Sequence, residues 1–370
     1  MNSDTTTADQ CYLVGSFTTE PRTRAHADLQ ELERLCRAAG LTPVGGELVR
    51  VREPQPALYL GTGQADRIIA AARELEAAII VFDRALSPVH LRNWARRSKL
   101  EVYDRHAVIL EIFSSRARTR EAQLQVELAR AEYAQSHLVG MWQHLSRQGG
   151  GSRLARGEGE KQIEMDRRQL FRRVQRARKA LDQVGRQREL RRRGRDGLYR
   201  VALVGYTNAG KSSLMNRLTT GGVRTADQLF ATLDPTTRKL YLGAEITALV
   251  SDTVGFVRHL PPELIEAFHS TLEEVTEADL LLLVVDTSDP RVAEELATTQ
   301  EILESIGAGE IPAVLVLNKI DRIDGDGIDL VPTIGLNGTH VATTRTSAAT
   351  GAGLDELRTT ILHALTNGLS

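Results

Sequence analysis

Short apolar runs alternate with helix-period stretches in two separate parts of the chain, with a third pattern between them. In the first third, runs at 11–14, 78–82 and 100–103 alternate with stretches at 27–39, 64–74 and 89–98 whose apolar residues recur every three or four positions. That alternation predicts a small α/β domain over 1–112. In the last half, strand-like runs at 198–204, 246–250, 313–317 and 340–345 alternate with helical patterns at 212–219, 262–275, 291–306 and 353–365. An open, mostly parallel α/β sheet over 197–370 follows, with ligand positions at the carboxyl ends of its strands.

The middle, 113–196, reads as a helical hairpin. Leu124, Leu128, Ala131, Gln135, Leu138, Trp142 and Leu145 are spaced alternately four and three apart, and so are Ile163, Arg167, Leu170, Val174, Ala177, Leu181 and Val184. Two such seams joined by one turn predict an antiparallel pair of helices packed on each other. At ~1.5 Å per residue the second, over 161–193, reaches on the order of 50 Å. Between them, 146–159 holds five glycines and three arginines. This composition suits a tip loop whose exposed N–H groups and guanidiniums grip phosphates or stack on bases.

Charge changes the picture of the hairpin. The net charge of −1 conceals a +10 block over 151–200, where 17 Lys and Arg face 7 Asp and Glu. A solvated face and a polyanionic partner such as nucleic acid are both open on charge alone. Cys11 and Cys36 are the only cysteines; they predict incidental thiols in a reducing compartment rather than a disulfide framework or a metal site. The N-terminus lacks a basic-then-apolar signal and no apolar run approaches a membrane span, so a cytoplasmic protein is expected.

The candidate chemistry lies at the strand exits of the last half. After the run at 198–204 comes Gly205-Tyr206-Thr207-Asn208-Ala209-Gly210-Lys211-Ser212-Ser213. Glycines at both ends let the backbone curl its N–H groups onto phosphate oxygens, Lys211 neutralises them and Ser212 can ligate Mg²⁺. Asp252-Thr253-Val254-Gly255 follows the next run: the aspartate can hold Mg²⁺ and the Gly255 N–H can sense a γ-phosphate. Asn318-Lys319-Ile320-Asp321 ends a third run, and a carboxylate there accepts guanine N1–H and N2–H₂, which adenine cannot offer. Thr346-Ser347-Ala348 is placed to contact guanine O6. Phe230-Ala231-Thr232-Leu233-Asp234 lies between the P-loop helix and the next strand, and Thr232 is the first candidate to close over Mg²⁺ and the γ-phosphate, ahead of Thr236 and Thr237. The order of these segments predicts a Ras-like P-loop GTPase domain with Lys211, Thr232 and Gly255 in catalytic roles and Ser212, Thr232 and Asp252 on the metal.

Two features temper the reading. Phe256 stands after Gly255, so no glutamine is available there to orient water, and intrinsic hydrolysis is expected to be slow until a partner completes the site. Gly61-Thr62-Gly63 could be half of a nucleotide turn, but a plain turn into a helix is the simpler reading.

These residues together resemble the HflX family of GTPases. The likeness rests on Tyr59-Leu60-Gly61-Thr62-Gly63, Phe82-Asp83-Arg84-Ala85-Leu86-Ser87-Pro88, Arg116-Ala117-Arg118-Thr119, Ser146-Arg147-Gln148-Gly149-Gly150-Gly151 and Glu164-Met165-Asp166-Arg167-Arg168, besides the GTPase motifs. It implies a GTPase with Mg²⁺ that binds the large ribosomal subunit and its RNA through the hairpin and splits stalled or idle ribosomes. A monomer is expected, and peripheral membrane association is left open. Gly157-Glu158-Gly159 departs from the family's usual proline between the glycines. Ser370 follows closely on the last predicted helix, so functions of the further domain that some members carry are not transferred. The alternatives are a regulatory GTPase whose hairpin meets a protein or membrane, and a separate ATP- or RNA-dependent activity of the first domain.

Overall fold

The computed structural model describes residues 7–147, 153–192, 197–219, 230, 236–243, 246–258, 260–261, 264, 267–323 and 340–367. They form two compact units, one of Met1–Ser115, Gln123–Leu181 and Pro261–Ala267, the other of Arg116–Ala122, Asp182–Leu260 and Phe268–Ser370.

The first unit runs β1 (Gln10–Phe17), α1 (Arg22–Ala38), β2 (Thr42–Arg50), α2 (Thr62–Glu74), β3 (Ile79–Phe82), α3 (Pro88–Ser98), β4 (Glu101–Tyr103) and α4 (Arg105–Arg116). Its four strands are parallel in the order β2-β1-β3-β4. Ser87 caps α3 by accepting the His90 N–H, and Pro88 occupies the first turn, where a missing donor costs nothing. Trp94 of α3 meets Phe82 of β3 edge to face at 4.9 Å and donates its indole N–H to Leu58 O at 2.7 Å, so its burial leaves no polar group unpaired. Strand β2 is absent from the sequence expectation, and it carries Pro43, Gly45 and Gly46, residues that disfavour strands. Packing favours the glycines here: a methyl group at Gly45 would lie 2.5 Å from the Leu75 side chain, and one at Gly46 would lie 2.9 Å from Leu13 O.

Helices α5 (Arg120–Arg147) and α6 (Arg153–Arg192) follow. Leu124, Leu128, Ala131, Val174 and Ala177 of the two seams are buried, whereas Arg167 is exposed and breaks the second. Arg178 of α6 bridges to Glu132 of α5 at 2.7 Å. The expected loop over 146–159 needs correction: α5 continues to Arg147 and α6 begins at Arg153, eight residues before the expected 161. Gly157 and Gly159 cost about 1 kcal/mol each in a helix, which the Leu, Ala, Glu, Lys and Arg around them outweigh. Residues 148–152 lie outside the described residues.

The second unit runs β5 (Tyr199–Val204), α7 (Lys211–Leu218), β6 (Thr236–Gly243), β7 (Ile246–Asp252), α8 (His269–Thr276), β8 (Leu280–Asp286), α9 (Val292–Ser305), β9 (Ala313–Asn318), β10 (His340–Arg345) and α10 (Leu354–Asn367). The sheet order is β10-β9-β8-β5-β7-β6, with β6 alone antiparallel. Strands β8 and β9 are buried along nearly their whole length, which is why they read as unbroken apolar runs rather than alternating ones. The helix expected over 262–275 is described only from His269, apart from Leu264. Among the described residues, no helix is long and apolar enough to cross a membrane.

Candidate active site

The loop leaving β5 is shaped by two glycines for different reasons. Gly205 has φ +145°, and a methyl group there would lie 2.2 Å from Val284 O on the neighbouring strand β8. Gly210 has φ +96° as it caps α7, and its methyl would lie 2.3 Å from Asn318 Nδ2. Between them Asn208 also takes the left-handed conformation, at φ +65°, which asparagine tolerates better than most residues. The first N–H groups of α7, at Lys211, Ser212 and Ser213, lack intrahelical acceptors and carry the positive end of the helix dipole.

Lys211 is buried beneath this loop, its ammonium donating to Gly205 O at 2.9 Å and Tyr206 O at 2.8 Å. Desolvation pushes it down to about 8, against the opposing pull of Asp252 and Glu295. Beside it the Ser212 hydroxyl donates to Asp252 Oδ2 at 2.6 Å. A hydroxyl and a carboxylate converging on one point are the hard oxygen donors that Mg²⁺ selects, so these residues fit such an ion.

Past β7, Thr253 Oγ1 donates to Leu203 O at 2.7 Å, anchoring the segment to β5. Phe256 is buried and pairs by its backbone with the P-loop. Gly255 packs on Thr207 and Lys211.

At the far end of the sheet Asn318 acts as a brace. Its Nδ2 donates to Ala209 O at 2.8 Å, while its Oδ1 accepts the Ala348 N–H at 3.1 Å and the Thr346 hydroxyl at 3.3 Å. Asn318, expected with Asp321 to contact guanine, thus has a fully buried amide that ties the P-loop to 346–348. Lys319, at φ +65°, donates to Asn208 O and Asp286 Oδ2, each at 2.7 Å. Asp321 lies exposed beyond Ile320, its Oδ1 accepting the Ser347 hydroxyl at 2.5 Å. The residues 205–213, 252–255, 318–321 and 346–348 are thus brought to one edge of one sheet. Ala231, Thr232, Leu233 and Asp234 lie outside the described residues, and Phe230 is buried. Thr236 sits opposite Asp252 in the β6–β7 register, and Thr237 Oγ1 meets Ser251 Oγ at 2.9 Å. Sequence reasoning passed over Asp286, whose only signal is a carboxylate at the exit of a buried strand, and over the contacts of Arg258 described below.

A parallel sheet with a glycine-bounded lysine loop, an Asp-x-x-Gly segment and an Asn-Lys-x-Asp segment at its strand exits defines a P-loop GTPase. Three family models match consecutive parts of the chain: a GTP-binding GTPase N-terminal region over 26–114, a GTP-binding GTPase middle region over 116–195 and a 50S ribosome-binding GTPase over 200–319. The GTPase HflX of Escherichia coli K12 is 43% identical over 365 residues, covering 98% of this chain and 83% of that protein. The GTPase HflX of Spirochaeta thermophila is 47% identical over 85% of this chain and 77% of its own length. Among solved structures, the complex of SsGBP with GDP superposes with a TM-score of 0.51 at 25% identity, covering 97% of this chain and 98% of that one. The chain belongs to the HflX family of GTPases and hydrolyses GTP.

Proposed function

We propose that this GTPase binds GTP with Mg²⁺ at the β5, β7, β9 and β10 exits, engages the large ribosomal subunit and its RNA through α5 and α6, and splits stalled or idle ribosomes. Hydrolysis then permits release. The observation that carries the ribosomal part is the described portion of α6, where Arg167, Arg168, Arg172, Arg173, Arg176, Lys179 and Arg186 are all exposed. So many cations on one helix suit a phosphate-rich surface, and the 50S-binding description of the GTPase-domain model supports the same partner.

In the catalytic step, the α7 N-terminus and the Lys211 ammonium hold the β- and γ-phosphates, and Asp321 with 346–348 holds the guanine. Ser212, Asp252 and, from its place in the sequence, Thr232 would hold Mg²⁺, which neutralises charge on the phosphates when bound. The Gly255 N–H senses the γ-phosphate. Phe256 offers no side-chain group to orient water, so the intrinsic rate stays low until the ribosome completes the site. A cytoplasmic location suits this role.

Sedimentation of purified ribosomes with the full chain in GTP, GDP and a non-hydrolysable GTP analogue tests the reading. Subunit separation is expected with GTP and with the analogue, weakening steeply with salt as counterions are released. Nucleotide-independent sedimentation, or none, would remove the ribosomal role.

A further inference from the structure

The segment after β7 is fastened to the P-loop more firmly than chain connectivity requires. The Phe256 N–H donates to Gly205 O at 3.1 Å and the Thr207 N–H donates to Phe256 O at 2.8 Å, forming one rung of parallel pairing. Two residues on, the Arg258 N–H donates to the Tyr206 phenol at 2.9 Å, and the Arg258 guanidinium pairs with Glu294 of α9 at 3.0 Å. Tyr206 and Arg258 are both buried, so the bond between them is shielded from water, whereas Glu294 remains partly exposed at the outer end of the clasp. The consequence falls on Gly255. A methyl group on it would lie 2.9 Å from the Thr207 α-carbon and 3.0 Å from Lys211 Nζ.

A γ-phosphate held by both Lys211 and the Gly255 N–H needs two hydrogen bonds of ~2.8 Å with a phosphoryl group between them. In the clasped backbone even a methyl group on Gly255 would press on Lys211 Nζ, so the segment stands close over the ammonium. A diphosphate cradled by 205–213 makes no demand on that space.

We propose that Tyr206, Arg258 and Glu294 are positioning residues that set the preference between GTP and GDP, by clasping 255–258 over Lys211 where the γ-phosphate must enter. GTP binding has to open the clasp, and GDP binding does not. The inference rests on the reading of 205–213 and Gly255 as the phosphate site.

Its test is the affinity of the full chain for fluorescent GDP and for a fluorescent non-hydrolysable GTP analogue. Tyr206→Phe keeps the ring and loses the bond to Arg258 N–H; it should shift the ratio of analogue to GDP affinity by about three- to tenfold in favour of the analogue. Glu294→Gln should act in the same direction by about twofold. General loosening of the fold would move both nucleotides alike, so equal shifts, or a ratio moved towards GDP, would overturn the clasp. Lys211→Ala separates the two levels. If it leaves both nucleotides bound, the phosphate-site reading fails; if it abolishes both while the clasp variants leave the ratio unchanged, only the clasp fails.

Discussion

Gly61-Thr62-Gly63 and the 205–210 loop each lead the chain into a helix, α2 in one unit and α7 in the other, yet they close in different ways. At α2, Gly61 has an ordinary φ of −63°, its N–H donates to Gln64 Oε1 at 3.1 Å, and Gln64 Nε2 donates on to Arg50 O at 3.1 Å. The helix start is satisfied by its own side chain, and before it Tyr59 pairs back with Gln55 in an isolated antiparallel bridge rather than in a strand. At α7, both glycines take positive φ, their backbones press on the exits of β8 and β9, and a buried ammonium lies underneath. A glycine turn becomes an anion site when it combines backbone that no other residue can adopt with a cation held out of water. A turn that caps itself has neither.

The largest break in that contrast is Lys211→Ala. Removing the charge-assisted bonds to two phosphates should weaken GTP and GDP by on the order of a thousandfold, read by equilibrium titration. Next, Gly205→Ala against Gly61→Ala compares the turns directly. The first should lower stability by on the order of 3 kcal/mol, because it adds an atom against Val284 O at a disallowed φ; the second should change it by less than about 1 kcal/mol. Denaturant unfolding of both variants decides, and equal costs would erase the distinction.

Asp321→Asn probes what the second turn has gained beyond an anion. Replacing the carboxylate with an amide should weaken GTP by about a hundredfold and favour a purine bearing a carbonyl at C2, measured by competition. The smallest effect is pH. Lys211, at about 8 in the free protein, is held protonated by a bound polyphosphate, so its pKa rises on binding. Affinity should therefore be flat below pH 8 and fall by about tenfold per unit above it until the complex itself deprotonates. Titrations at pH 7 and 9.5 with equal affinities would contradict a buried Lys211 ligand.

Much of this was legible beforehand. Strand β9 announces itself because both its faces are buried, and 205–213 does so because glycine satisfies the turns at its two ends. Less legible were β2, whose Gly45 and Gly46 find their place only where Leu75 and Leu13 pack against them, and the start of α6, where surrounding helix formers outweigh two glycines. The bracing role of Asn318 was not legible: only the fold shows its amide reaching Ala209, Thr346 and Ala348.

By itself, the sequence determined the conformational demands and the chemical repertoire: where backbone must turn left-handed, which oxygens and ammonium stand at strand exits, and that glutamine is missing after Gly255. These are local properties, set by Cβ sterics and side-chain chemistry within a few residues. The tertiary structure decided which of those groups are already engaged. Tyr206 meets Arg258 and Asn318 meets Ala209 across 52 and 109 positions, pairings that exist only once β5, β7, β8 and β9 lie side by side and bring their exits together.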